Sequence, residues 1–195
     1  MTCCTASSLL DFAITGSGPL ARLARALTRS AGSRRWPKPF VLCPMGRTRA
    51  TDDIGAVLQE QQGTCSSKHR FLAALAHECG RTDVQLMLGL YEMSEGNTPG
   101  IGRALGELPA IPEAHCYLAH EGKRFDFTGL AAGGASPFES LIEERSVSPA
   151  DLPAAKLAYH RRAIEKWAQA RGLDPGAVWA VRERCMALLA KGETP

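Results

Sequence analysis

Between Gln61 and Gly129 the chain runs through a helix, a strand and a hairpin in that order, and this order restricts its fold more than any other feature. The stretch "GTCSSKHRFLAALAHECG" sets Phe71, Leu72, Leu75 and Cys79 at helical spacing and stops at Gly80, a residue suited to a helix C-terminus. "TDVQLMLGLYEM" then alternates Val84, Leu86, Leu88 and Leu90, the two-residue period of a strand. "AHCYLAHEGKRFDFTG" has strand character on both sides of Glu121-Gly122, a dipeptide suited to a two-residue hairpin turn. With Ala-rich helices before and after this strand-containing centre, the expected class is α+β.

Three blocks are expected. Residues 1–50 form a basic N-terminal extension carrying eight Lys/Arg and one acid, Asp11, a net +7, whereas the remainder carries −4. Within it, "GPLARLARALTR" places Leu20, Leu23 and Leu27 on one helical face, offset from Arg22, Arg25 and Arg29. Residues 51–145 form the core. It opens with a helix expected from about Asp53, capped by Thr51 or Asp52, and contains the Gly/Pro-rich loop "SEGNTPGIGRALGELPAIPE", read as a lid or a surface loop. "LAAGGASPF" is read as a further loop. Residues 146–195 form a helical pair: one helix over roughly Pro149–Arg171, and a second with Asp174 as N-cap and Pro175 at the first helical position. Trp167 and Trp179 are expected to anchor the two against each other. Arg161, Arg162, Lys166 and Arg171 are expected on a solvated face, since Glu165 interrupts them and no nucleic-acid motif accompanies them.

Composition excludes several classes. At 195 residues and 45% hydrophobic, the chain has the material for a sizeable core, and no apolar run is long enough for a transmembrane helix. The N-terminus lacks the basic start and apolar centre of a secretory leader. Seven cysteines without a framework spacing point to a reducing, cytoplasmic setting. "GNTPGIG" lacks the Gly-Lys-Ser/Thr ending of a phosphate loop, and no cofactor is expected.

Cys65 raises the question of chemistry. A packing cysteine belongs inside the apolar stripe, but this one opens the helix, where unpaired backbone N–H groups and the helix dipole favour a thiolate. The hairpin supplies what such a nucleophile requires. A two-residue turn at Glu121-Gly122 pairs His120 with Lys123, Leu118 with Phe125 and Tyr117 with Asp126. His115 and Tyr117 then share a face, and Asp126 lies diagonally from His115 on it. A three-residue turn would move Asp126 to the other face. The hairpin thus offers an imidazole as base and a carboxylate to fix its tautomer.

These residues resemble the core of transglutaminase-like proteins, within the wider papain-like cysteine fold. The family pattern is a Cys opening a helix, a His beginning a strand about fifty residues later, and an Asp on the next strand. Cys65, His115 and Asp126 match it over roughly Asp53–Gly129. Two positions depart from it: Cys116 stands where many relatives carry an aromatic residue, and "SSKH" after Cys65 is more polar than usual. The resemblance implies a nucleophile helix packed on an antiparallel sheet and a Cys65-His115-Asp126 triad. It implies acyl transfer at an amide or peptide carbonyl of a peptide, protein or small amide, as a protease, deamidase or transamidase. The Cys65 backbone N–H and the Gln62 side chain are expected as oxyanion donors, with Tyr117 beside the site.

Other readings use the same residues. An inactive domain of the same fold would be a binding or scaffold module. Arylamine acetyl transfer uses the same triad order, but calls for an acyl-CoA cleft. A zinc site from Cys65, His69 and His115 lacks paired ligand spacing. Lys68 and His69 are expected to face solvent or line a cleft.

Overall fold

A computed structural model describes residues 14–30, 43–128 and 137–191. The "LAAGGAS" part of the expected loop and the basic residues Arg34, Arg35 and Lys38 lie outside these. The described residues form six α-helices: α1 Pro19–Ser30, α2 Ala56–Gln59, α3 Cys65–Glu78, α4 Gly102–Leu105, α5 Leu152–Gln169 and α6 Pro175–Lys191. Four strands, β1 Gln85–Met93, β2 Ile111–His120, β3 Lys123–Phe125 and β4 Leu141–Ser146, build one antiparallel sheet in the order β3-β2-β1-β4. The α+β class is thus as expected. The chain divides into two compact units: residues 1–87, 116–129 and 146–150 in the first, and 88–115, 130–145 and 151–195 in the second.

In the first unit, α3 is the organising element. Thr64 caps it: its hydroxyl accepts from Ser67 N, and Ser67 Oγ accepts from Thr64 N at 2.9 Å, a reciprocal capping box. Gly80, at φ +80°, ends it; the Arg81 N–H returns to the Ala76 carbonyl and the Gly80 N–H to His77, a Schellman closure. Phe71, Leu72 and Leu75 are buried as the periodicity requires. The helix α1 docks through small residues, with Ala21 and Ala24 buried. Glu78, at the far end of α3, receives the Leu20 and Ala21 N–H groups at 3.3 and 2.9 Å, an anion on a helix N-terminus. The expected helix from Asp53 is shorter, because Asp53 Oδ1 accepts the Gly55 N–H at 2.7 Å and spends the first residues on an Asx turn.

The hairpin has the expected register, Leu118 with Phe125 and His120 with Lys123. Its turn residues Glu121 and Gly122 both have positive φ, +49° and +72°, the signature of a type I′ turn.

In the second unit, α5 and α6 pack together as expected. Asp174 Oδ2 accepts the Ala177 N–H at 2.8 Å, confirming it as the cap. Trp167 and Trp179 pack against the core that includes Ile164, Ala168, Val178 and Cys185. The exposed Arg161, Arg162, Lys166 and Arg171 form the solvated face. The loop after Met93, expected as a lid or a surface loop, is anchored to the core. Glu95 accepts the Gly100 and Gly102 N–H groups, and Ile101 and Leu105 are buried in the same core. The strand β4 went unpredicted; its Glu143, Glu144 and Arg145 are exposed, and it lies at the edge of the sheet.

Candidate active site

Cys65 occupies the first position of α3, behind its cap, with 7% of its surface exposed. Its Sγ lies 3.9 Å from Ser66 Oγ, and Ser66 Oγ lies 3.6 Å from Cys116 Sγ. Two thiols therefore lie close to one hydroxyl at the tip of the helix.

Lys68 and His69, one turn further on, were expected to face solvent or line a cleft; both are fully buried, which overturns the first of these. The helical period explains it, since positions three and four beyond Cys65 return to its own face. Both side chains hold the segment that follows β3. Lys68 Nζ donates to the Thr128 carbonyl at 2.8 Å and to the Cys43 carbonyl at 2.7 Å. His69 Nδ1 donates to the Cys65 carbonyl at 2.7 Å, and Nε2 accepts the Phe127 N–H at 2.8 Å. The imidazole is thereby fixed as the neutral Nδ1–H tautomer. With both nitrogens committed, His69 is neither a proton acceptor for the thiol nor a metal ligand, and the zinc reading loses one of its three groups.

Asp126 belongs to this clamped segment. Its Oδ1 accepts from Thr128 N at 2.8 Å and from the Thr128 hydroxyl, and lies 3.6 Å from His69 Nε2. Since Nε2 is already an acceptor, that last contact is proximity rather than a hydrogen bond. Asp126 is thus oriented by Thr128 within its own turn.

His115 lies in β2, 4% exposed, edge-on to the Tyr91 ring at 6.0 Å and 6.5 Å from the Phe138 ring. His77 donates to the Val84 carbonyl at 3.0 Å, His120 sits 3.1 Å from Asp83 Oδ2, and His160 donates to the Pro112 carbonyl at 2.9 Å. Tyr117 is fully buried. Gln62 gives its amide to the Arg47 carbonyl at 2.9 Å and lies 3.5 Å from Glu60 Oε2, so service as an oxyanion donor requires it to exchange those partners.

Two other cysteines are disfavoured as nucleophiles. Burial pushes the Cys43 thiol above its ordinary value, with Lys68 only partly offsetting it. Burial and then the Glu113 carboxylate push Cys185 up to about 11. Both remain thiols at neutral pH.

Sequence reasoning passed over Thr64 and gave Lys68 and His69 other roles, although all three shape this region. For each a signal existed. Thr64 immediately precedes the apolar-periodic run, and positions 68 and 69 share the helical face of Cys65. The chain matches no protein-family model, no curated protein and no solved structure.

Proposed function

We propose that the chain is a cysteine-dependent enzyme of transglutaminase-like type, acting by acyl transfer or hydrolysis at an amide or peptide carbonyl. Cys65 is the nucleophile, His115 the base, and Asp126 the group that orients it. The observation that carries the reading is the placement of Cys65 at the first turn of a capped helix of fourteen residues, where the helix dipole stabilises a thiolate. Two further observations support it. The hairpin register is the one on which the assignment of Asp126 depends. His115 stands in β2, the strand paired with β3 in that hairpin.

In this mechanism the imidazole takes the thiol proton and the thiolate attacks the carbonyl carbon. The Cys65 backbone N–H supports the oxyanion, the imidazolium protonates the departing amine, and water or an amine resolves the thioester.

The near-complete burial of Cys65 favours a second reading, a binding domain of the same fold whose thiol merely packs. Site-resolved alkylation with iodoacetamide from pH 5 to 9 separates the two. The enzyme alkylates at Cys65 with a titration midpoint well below about 8.5, the free-thiol value. A midpoint at that value, or an inert Cys65, rejects the enzyme.

A further inference from the structure

We infer that Ser66 is a catalytic residue that hydrogen-bonds the Cys65 thiolate through its hydroxyl, with Cys116 as the positioning residue that orients that hydroxyl. The inference rests on the proposed nucleophilic role of Cys65. Its geometry is a chain of two contacts at the tip of α3: Cys116 Sγ donates to Ser66 Oγ at 3.6 Å, and Ser66 Oγ lies 3.9 Å from Cys65 Sγ.

A hydroxyl carries one proton and two lone pairs. When Ser66 Oγ accepts the Cys116 S–H, its own proton is suited to a second acceptor, and the Cys65 sulfur lies 3.9 Å away. A neutral thiol is a weak acceptor, which accounts for the length of that contact. Ionisation makes the sulfur a strong acceptor, and catalytic hydrogen bonds that are long at rest tighten as charge forms. A bond made to the charged form favours that form, so the pair of side chains adds to the helix dipole.

The helix α3 is capped without Ser66. Its capping box is completed by Thr64 and Ser67, the residues on either side of Cys65-Ser66. Cys116, fully buried in β2, is small and apolar enough for a packed position and still carries a donor proton.

The test is the pH profile of iodoacetamide alkylation at Cys65 in the full chain, compared among Ser66→Ala, Ser66→Thr, Cys116→Ala and Cys116→Ser. Ser66→Ala is expected to raise the midpoint by about one unit, seen as roughly tenfold slower alkylation at pH 6. Ser66→Thr, which keeps the hydroxyl at a half-buried position, restores the parent profile. Cys116→Ser, which keeps a donor, stays close to the parent, and Cys116→Ala shifts upward by less than Ser66→Ala. A parent with a depressed midpoint that Ser66→Ala leaves unchanged overturns the role of Ser66 and spares that of Cys65. So does a Ser66→Thr chain as slow as Ser66→Ala, since the loss would then be one of packing. A parent titrating as a free thiol removes both.

Discussion

His69 Nε2 accepts the backbone N–H of Phe127 at 2.8 Å, while its Nδ1 is bonded to the carbonyl of Cys65. One buried imidazole therefore links the residue proposed as nucleophile to the neighbour of the residue proposed as orienter. Replacing it with leucine leaves a buried N–H without its acceptor, and the lost bond and the desolvation of its partner together cost about 2–3 kcal/mol. His69→Leu is expected to lower the unfolding free energy by that amount, read as a lower urea midpoint. His69→Gln, whose amide oxygen offers an acceptor, loses less.

The type I′ turn makes a separate prediction. Glu121 adopts φ +49°, a region that Asn tolerates and Glu does not favour. Its carboxylate contributes little in return, since it is exposed and 3.7 Å from His120 Nε2. Glu121→Asn is expected to stabilise the chain by about 0.5–1 kcal/mol, read as a higher thermal midpoint with alkylation at Cys65 unchanged.

In the second unit, Arg182 grips Glu113 with two bonds of 2.9 Å, both side chains being nearly inaccessible. Burial opposes the Glu113 charge; the charges of His160 and Arg182 overcome it and hold the carboxyl below its usual range. Glu113→Gln strands the guanidinium in a buried site and is expected to cost about 3–5 kcal/mol. Replacing both residues with methionine is expected to cost less than the single change, because no buried charge is then left alone. Urea unfolding followed by the fluorescence of Trp167 and Trp179 measures the difference.

The same cluster sets an acid limit. Burial also holds His160 below its ordinary value, against the pull of Glu113. Both groups are shifted down in the folded chain, so the unfolded chain binds more protons and acid favours unfolding. Their contribution is complete above about pH 6.5, the ordinary histidine value, and falls as His160 is forced to charge. It falls again below about pH 4.3, where a free glutamate protonates. Thermal midpoints are therefore expected to decline from pH 7 to pH 5, and His160→Gln is expected to flatten that decline.

What the sequence revealed follows from which signals are local. The register of β2 and β3 was legible because a turn dipeptide and an alternating pattern agree about it. The ends of α3 and the start of α6 were legible because Gly80, Asp174 and Pro175 each suit a single backbone role. Lys68 and His69 were misplaced because polarity was weighed above periodicity. Their partners, the backbone groups of Phe127 and Thr128, lie about sixty residues away and leave no mark in the local sequence. The loop after Met93 was read from its glycines and prolines, whereas its position is fixed by Ile101, Leu105 and the Glu95 carboxylate. The strand β4 was missed because charged residues on an edge strand erase the alternation that marks an inner one.

Gly63 stands two residues before Cys65, and its lack of a side chain sets how closely the preceding loop approaches α3. A Cβ at this position would lie 2.6 Å from Val57 Cγ2, 2.9 Å from Ser67 Oγ and 3.0 Å from Lys68 Cγ. Each of these atoms belongs to a committed side chain. Val57 is fully buried, Ser67 completes the capping box, and Lys68 is tied to the Cys43 and Thr128 carbonyls. None can move without loss, and Gly63 also exchanges backbone bonds with Pro44 and Gly46 that hold it in place. Gly63→Ala is therefore expected to cost about 1–3 kcal/mol by overpacking. Because the strain falls on the cap, alkylation of Cys65 is expected to change along with stability, unlike in Glu121→Asn. A Gly63→Ala chain with the parent's urea midpoint and the parent's alkylation profile would show that the loop has slack, and that the helix tip is held less tightly than its contacts imply.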